Sequence, residues 1–151
     1  FTTLCRAAGV SPTPELLAEL QETDTRLCST VNTSVLNLLN HLNAIDQPWG
    51  IFSNAPRPVM EAVLSQDWTN GAAVTCFSPD LRFTKPHQGA FRRFEQAAAA
   101  AGYEDASLVY FDDRQTNLDA ADRRGWDAYP WRGVESVHEV LMPITGLRRA
   151  D

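Results

Sequence analysis

Apolar residues fall in two rhythms along the chain. Through the first 46 residues they recur at helical spacing. Leu16, Leu17, Leu20 and Leu27 form a loose stripe after a break at Pro12-Thr13-Pro14. There Thr13 is the predicted N-cap, Pro14 the first helical position and Glu15 part of the first turn. A second helix is predicted from Asn32 or Thr33, with Val35, Leu38, Leu39 and Leu42 on one face. From residue 47 the pattern changes to short apolar runs separated by helical stretches. Pro48 to Phe52 ends at Ser53-Asn54, Ala73 to Phe77 is a second run, Ser107 to Phe111 ends at Asp112-Asp113, and Asp127 to Trp131 is a fourth. Between and after them lie a helical pattern through Val59, Val63 and Leu64, a long helix opened by Pro86 and stopped at Gly102, a helix to Arg124 stopped at Gly125, and a closing helix from Val134 to Leu141. Alternation of strand and helix predicts an α/β fold, a parallel sheet with flanking helices.

Composition narrows the picture. At 151 residues, 44% hydrophobic and 21% charged, the chain suits one globular domain with a core. No apolar stretch nears the roughly 18 residues of a membrane helix, so no membrane partner is expected. The net charge is −6 and no Lys/Arg cluster could track a phosphate backbone, which argues against nucleic acid. Cys5, Cys28 and Cys76 have no metal-ligand spacing and read as inert thiols of a reducing, cytoplasmic setting. Of 13 basic residues, only Lys85 is lysine. A sole lysine among arginines marks a place that wants a compact ammonium rather than a guanidinium fork.

Ligands of open parallel sheets sit beyond the C-terminal ends of the strands. There the sequence places Ser53-Asn54, Lys85-Pro86 and Asp112-Asp113. Each has a structural reading. Ser53 could be a helix N-cap, the acid pair could cap a helix, and Lys85 could be fixed simply by the proline after it. Together, a hydroxyl, an ammonium and two carboxylates converging on one spot point to chemistry, since adjacent carboxylates repel unless a hard cation relieves them. Trp126, Tyr129 and Trp131 read as packing rather than a base-stacking platform, and His41, His87 and His138 are scattered without a role.

The series Gly50-Ile51-Phe52-Ser53-Asn54-Ala55-Pro56, then Thr84-Lys85-Pro86 with Phe91, then Val109-Tyr110-Phe111-Asp112-Asp113 with Asn117, Ala120, Ala121, Gly125 and Trp126, resembles the haloacid dehalogenase (HAD) superfamily. It resembles motifs II, III and IV in order, with separations of 32 and 27 residues from Ser53 to Lys85 to Asp112. Response-regulator receivers use similar residue types but put the acid pair first and the lysine last. The resemblance implies a HAD-like Rossmannoid parallel sheet over residues 32–151, with a helical cap segment over 1–31. It implies that Ser53, Asn54 and Lys85 bind substrate, that Lys85 and Ser53 are catalytic, that Asp112 and Asp113 hold Mg²⁺, and that Asn117 supports that loop. The double acid favours a phosphatase over a dehalogenase, and the motif forms resemble pyrimidine 5′-nucleotidase-like members. The implied activity is Mg²⁺-dependent hydrolysis of a small phosphorylated metabolite or nucleotide.

One motif is missing. The family's first, Asp-x-Asp-x-Thr at the end of an apolar strand, carries the covalent nucleophile. The nearest string, Glu22-Thr23-Asp24-Thr25, begins with Glu and lies on an amphipathic helical stretch. The chain is therefore expected to begin just downstream of that motif and to lack the central strand of its sheet. Two hydrogen-bonding edges would then be left exposed or forced to pair directly. An upstream segment or self-association with another copy could supply the strand. The alternative is a nucleophile-free domain with a binding or structural role, and the 151 residues alone are expected to be inactive.

Overall fold

The helical stripes begin where their capping residues place them. A computed structural model describes residues 1–145; the end of the predicted core, 146–151, lies outside the described residues. After α1 (Thr2–Ala7), α2 (Pro14–Ser29) starts where Thr13 Oγ1 accepts the Leu16 N–H at 3.3 Å, with Pro14 in the first turn. α3 (Thr33–Ala44) starts where Asn32 Oδ1 accepts the Ser34 N–H at 2.8 Å. α2 buries no residue, so its loose leucine stripe covers surface rather than core. It packs against α4 (Arg57–Leu64), whose Val59, Met60 and Val63 face inward.

The remaining elements alternate as the apolar runs predict: β1 (Gly50–Ser53), α4, a 3₁₀ turn at Asp67–Gly71, β2 (Val74–Phe77), α5 (Ser78–Leu81), α6 (Gln88–Ala100), β3 (Val109–Asp112), α7 (Gln115–Asp122), β4 (Asp127–Pro130) and α8 (Val134–Thr145). Gly102 and Gly125, which follow α6 and α7, both have positive φ, where glycine is unstrained. Gly50 is needed for a different reason: a Cβ there would stand 2.8 Å from the Val74 carbonyl oxygen.

The single predicted sheet requires correction. The fold is mixed α/β, but among the described residues it holds two separate two-stranded sheets. β1 runs parallel to β2, with Gly50 opposite Val74 and Ser53 opposite Phe77. β3 runs parallel to β4, with Val109 opposite Asp127 and Asp112 opposite Pro130. The inner edges of β1 and β3 do not pair with each other. Apolar side chains stand between them, and a cavity of about 400 Å³ opens there, lined among others by Leu38, Leu42, Trp49, Phe52, Phe111 and Val137.

Phe52 ties the halves together. From β1 its ring meets Phe91 and Phe94 of α6 at 5.1 Å each, Tyr110 of β3 at 6.0 Å and Trp126 at 6.2 Å. Phe91 is fully buried, at 0% exposure, in the centre of this cluster. Truncation there leaves a cavity that no neighbour can fill. Phe91→Ala is expected to lower the unfolding free energy by about 3–5 kcal/mol in denaturant titrations. A loss below about 1 kcal/mol would mean that the aromatic cluster is not the structural centre.

Candidate active site

Strand ends and one loop bring the site together. The loop between α5 and α6 carries Lys85 back over the C-terminal ends of β1 and β3. Asn54, just after β1, holds the main chain of that loop from both sides. Its Nδ2 donates to the Lys85 carbonyl at 2.9 Å, and its Oδ1 accepts the Lys85 N–H at 2.7 Å. The Lys85–Pro86 peptide is cis.

The lysine side chain then turns inward. Nζ donates to the Phe52 carbonyl at 2.7 Å, to the Tyr110 hydroxyl at 2.8 Å and to Asp112 Oδ2 at 2.7 Å. An ammonium has three donors, and all three are engaged. Nζ also lies 4.9 Å from the centroid of the Phe52 ring and 5.3 Å from that of Tyr110, within cation–π range. The ion pair is sealed: the side chains of Lys85 and Asp112 are only 8% and 7% exposed.

Asp112 is equally saturated. Oδ2 takes Lys85 and the Tyr110 hydroxyl, while Oδ1 takes the Arg114 N–H and Asn117 Nδ2, both at 2.9 Å. Burial alone would raise its pKa. The hydrogen bonds from Lys85, Tyr110, Arg114 and Asn117 outweigh burial and hold the carboxyl at about 2. Burial lowers the Lys85 pKa, opposed by its hydrogen bond and charge pairing with Asp112. Burial, with the neighbouring Asp112 adding to it, pushes the Tyr110 phenol up, so it stays a neutral donor.

The other expected residues sit close by in different roles. Ser53 lies between Phe52 and Asn54, both bonded to Lys85. It does not cap α4, whose N-cap is Pro56; its Oγ accepts the Ala55 N–H at 3.1 Å, which leaves the O–H as a donor. Asn54, expected to bind substrate, has its carboxamide committed to positioning Lys85. Asn117 is buried and supports Asp112, while its Oδ1 has no hydrogen-bond donor. Asp113 is exposed.

These facts decide how far the residues fit Mg²⁺. A carboxylate offers about four acceptor positions, and those of Asp112 are filled by protein donors. Of the implied pair, Asp113 alone is open to a cation in this arrangement. No group of three His, Cys, Asp or Glu side chains converges among the described residues. Elsewhere Cys5 and Cys76 are buried and Cys28 is exposed, all as free thiols. No helix among the described residues is long and apolar enough to cross a membrane.

Sequence reading missed Tyr110. The signal was present, because residues two apart in a strand face the same way, which puts Tyr110 and Asp112 side by side on β3. The Phe52 carbonyl could not have been found, since main-chain acceptors leave no mark in residue types.

The saturated pair predicts an acid-sensitive component of stability. Asp112 has a lower pKa folded than the roughly 3.9 of an unfolded aspartate, so its contribution is present above about pH 4 and lost as pH falls toward about 2. Asp112→Asn is expected to cost about 3–5 kcal/mol near neutral pH, because it leaves the Lys85 charge buried without its counter-ion. Denaturant unfolding across that pH window measures both. A variant as stable as the parent at pH 7 would show that the pair is not a support.

Comparison of the chain with protein-family profiles, with curated proteins and with solved structures returns no match.

Proposed function

We propose that this cluster is the charge-stabilising half of a phosphomonoester-hydrolase site of the HAD type, on a Rossmannoid sheet completed by a further strand. The observation that carries it is the placement of the sole lysine at the ends of β1 and β3, on the carbonyl of Phe52, which precedes Ser53, and against Asp112. Phosphoryl transfer asks a protein mainly to hold the group in place and to set positive charge around it. Lys85 supplies that charge, Ser53 donates its O–H to a phosphoryl oxygen, and Asn54 fixes the loop that carries Lys85. Arg114 N–H and Asn117 keep Asp112 oriented toward Lys85. Mg²⁺ held by Asp113 would add charge on the phosphoryl oxygens. The space between the unpaired edges of β1 and β3 is where a parallel strand bearing the acidic nucleophile completes the site.

One observation favours a second reading, a nucleophile-free domain that binds or supports. Every donor of Lys85 and every acceptor position of Asp112 is satisfied within the chain, so the cluster is stable without substrate.

Two assays separate these. The complete protein is expected to release phosphate from small phosphorylated metabolites in the presence of Mg²⁺, whereas the 151-residue chain alone should release none from an aryl phosphate. Lys85→Arg in the complete protein should lose about 100-fold in turnover, because a planar fork cannot occupy a three-acceptor ammonium site. Absence of Mg²⁺-dependent release from a broad substrate panel would favour the second reading. An active Lys85→Arg enzyme would remove the special role of the lysine.

A further inference from the structure

Among the described residues, the Tyr110 hydroxyl is the one group that bonds both members of the buried ion pair. It accepts from Lys85 Nζ at 2.8 Å and donates to Asp112 Oδ2. We propose that Tyr110 is a positioning residue for Lys85, its hydroxyl fixing the direction of the ammonium at the ends of β1 and β3. The proposal rests on the phosphohydrolase reading only for what the aimed charge serves.

A lysine stem has four rotatable carbons and ends in a freely turning point charge. Two acceptors leave the ammonium free to rock about the line between them; a third, out of line, fixes it. The Phe52 carbonyl comes from β1, Asp112 from β3, and the Tyr110 hydroxyl is the third. The hydroxyl itself cannot wander. Its ring is wedged against Phe52, Phe91 and Trp126, with centroids 6.0, 6.1 and 5.6 Å away. Its proton is committed to Asp112, so its lone pairs turn toward Lys85. Asp112 is in turn held by the Arg114 N–H and by Asn117. Tyr110→Phe keeps the ring and every one of its packing contacts, and removes the hydroxyl alone.

Lys85 is the only lysine, so protein labelled with ¹⁵N-lysine gives a single ammonium signal in NMR. In the 151-residue chain that signal is expected to be sharp and slow to exchange its protons with water, with nuclear Overhauser contacts to the Tyr110 ring. In Tyr110→Phe, exchange should rise by about tenfold and the ammonium shift should move, since one charge-assisted hydrogen bond is lost. Val59→Ala is the control for a merely structural effect. Val59 is buried on α4 in a different apolar cluster, and its truncation should lower stability while leaving the Lys85 signal in place. An unchanged shift and exchange rate in Tyr110→Phe would overturn the proposal. So would the absence of Lys85–Tyr110 contacts in the parent protein, a measurement that needs no variant to fold. Neither readout depends on phosphate release, so a failed hydrolysis assay and a failed positioning role are told apart.

Discussion

The buried ion pair of Lys85 and Asp112 is the constraint on which the rest of the site depends. Two charges so nearly excluded from water, at 8% and 7% exposure, are tolerable only if their mutual attraction is joined by a full set of hydrogen bonds. That set comes from separate parts of the chain: the carbonyl of Phe52 on β1, the hydroxyl of Tyr110 and the carboxylate of Asp112 on β3, the Arg114 N–H and Asn117 beyond it. Because β1 and β3 share no backbone ladder, the lysine is a direct polar link between these two strands. Moving either sheet would strand a buried charge, so the requirement for satisfaction translates directly into a requirement on relative position.

Much of this could be read from residue order, and the part that could not has a common cause. The starts of α2 and α3 were legible because capping is local: Thr13 and Asn32 each bond an N–H within three residues, whereas the helix expected to open at Pro86 starts at Gln88, capped by His87. The four strand runs were legible from apolar runs bounded by turn signals, and Lys85 stood out as the only lysine. Pairing was not legible. Strand periodicity says which face a residue occupies but not which edge lies beside which, and parallel pairs depend on contacts distant in sequence. The hydrogen-bond partners of Asn54 were hidden for the same reason, since its carboxamide is spent on a main chain 31 residues away. Ser53 bonds the Ala55 N–H rather than capping α4, a choice made by the local turn and not by residue type. Adjacent acids in sequence also parted company in space, Asp112 closing β3 in the interior and Asp113, just past the strand end, lying at the surface.

The open space between β1 and β3 is flanked by α6, whose Phe94 and Ala98 line it. α6 reaches both halves of the molecule. Phe91 and Phe94 pack on Phe52, Gln88 Nε2 donates to the Ala120 carbonyl of α7 at 3.1 Å, and Glu95 binds Arg124 and, at 3.0 Å, Trp126 Nε1. The Arg124 guanidinium holds the Glu95 carboxyl below its ordinary pKa, so this bridge stays charged. One face is thus clamped by α6, and the strand ends are clamped by Lys85. Phe52 packs on Phe91, Phe94, Tyr110 and Trp126, and Lys85 bonds the Phe52 carbonyl of β1 and Asp112 of β3, so both sheets are held in this relative position. The arrangement leaves a cavity of about 400 Å³ beside two unpaired strand edges. On the hydrolase reading proposed above, a completing strand would enter this space, between the unpaired edges of β1 and β3. Such a strand would run beside Phe52 and Tyr110 and end where Lys85 waits, which is why the geometry of the gap and the chemistry of the ion pair are one problem rather than two.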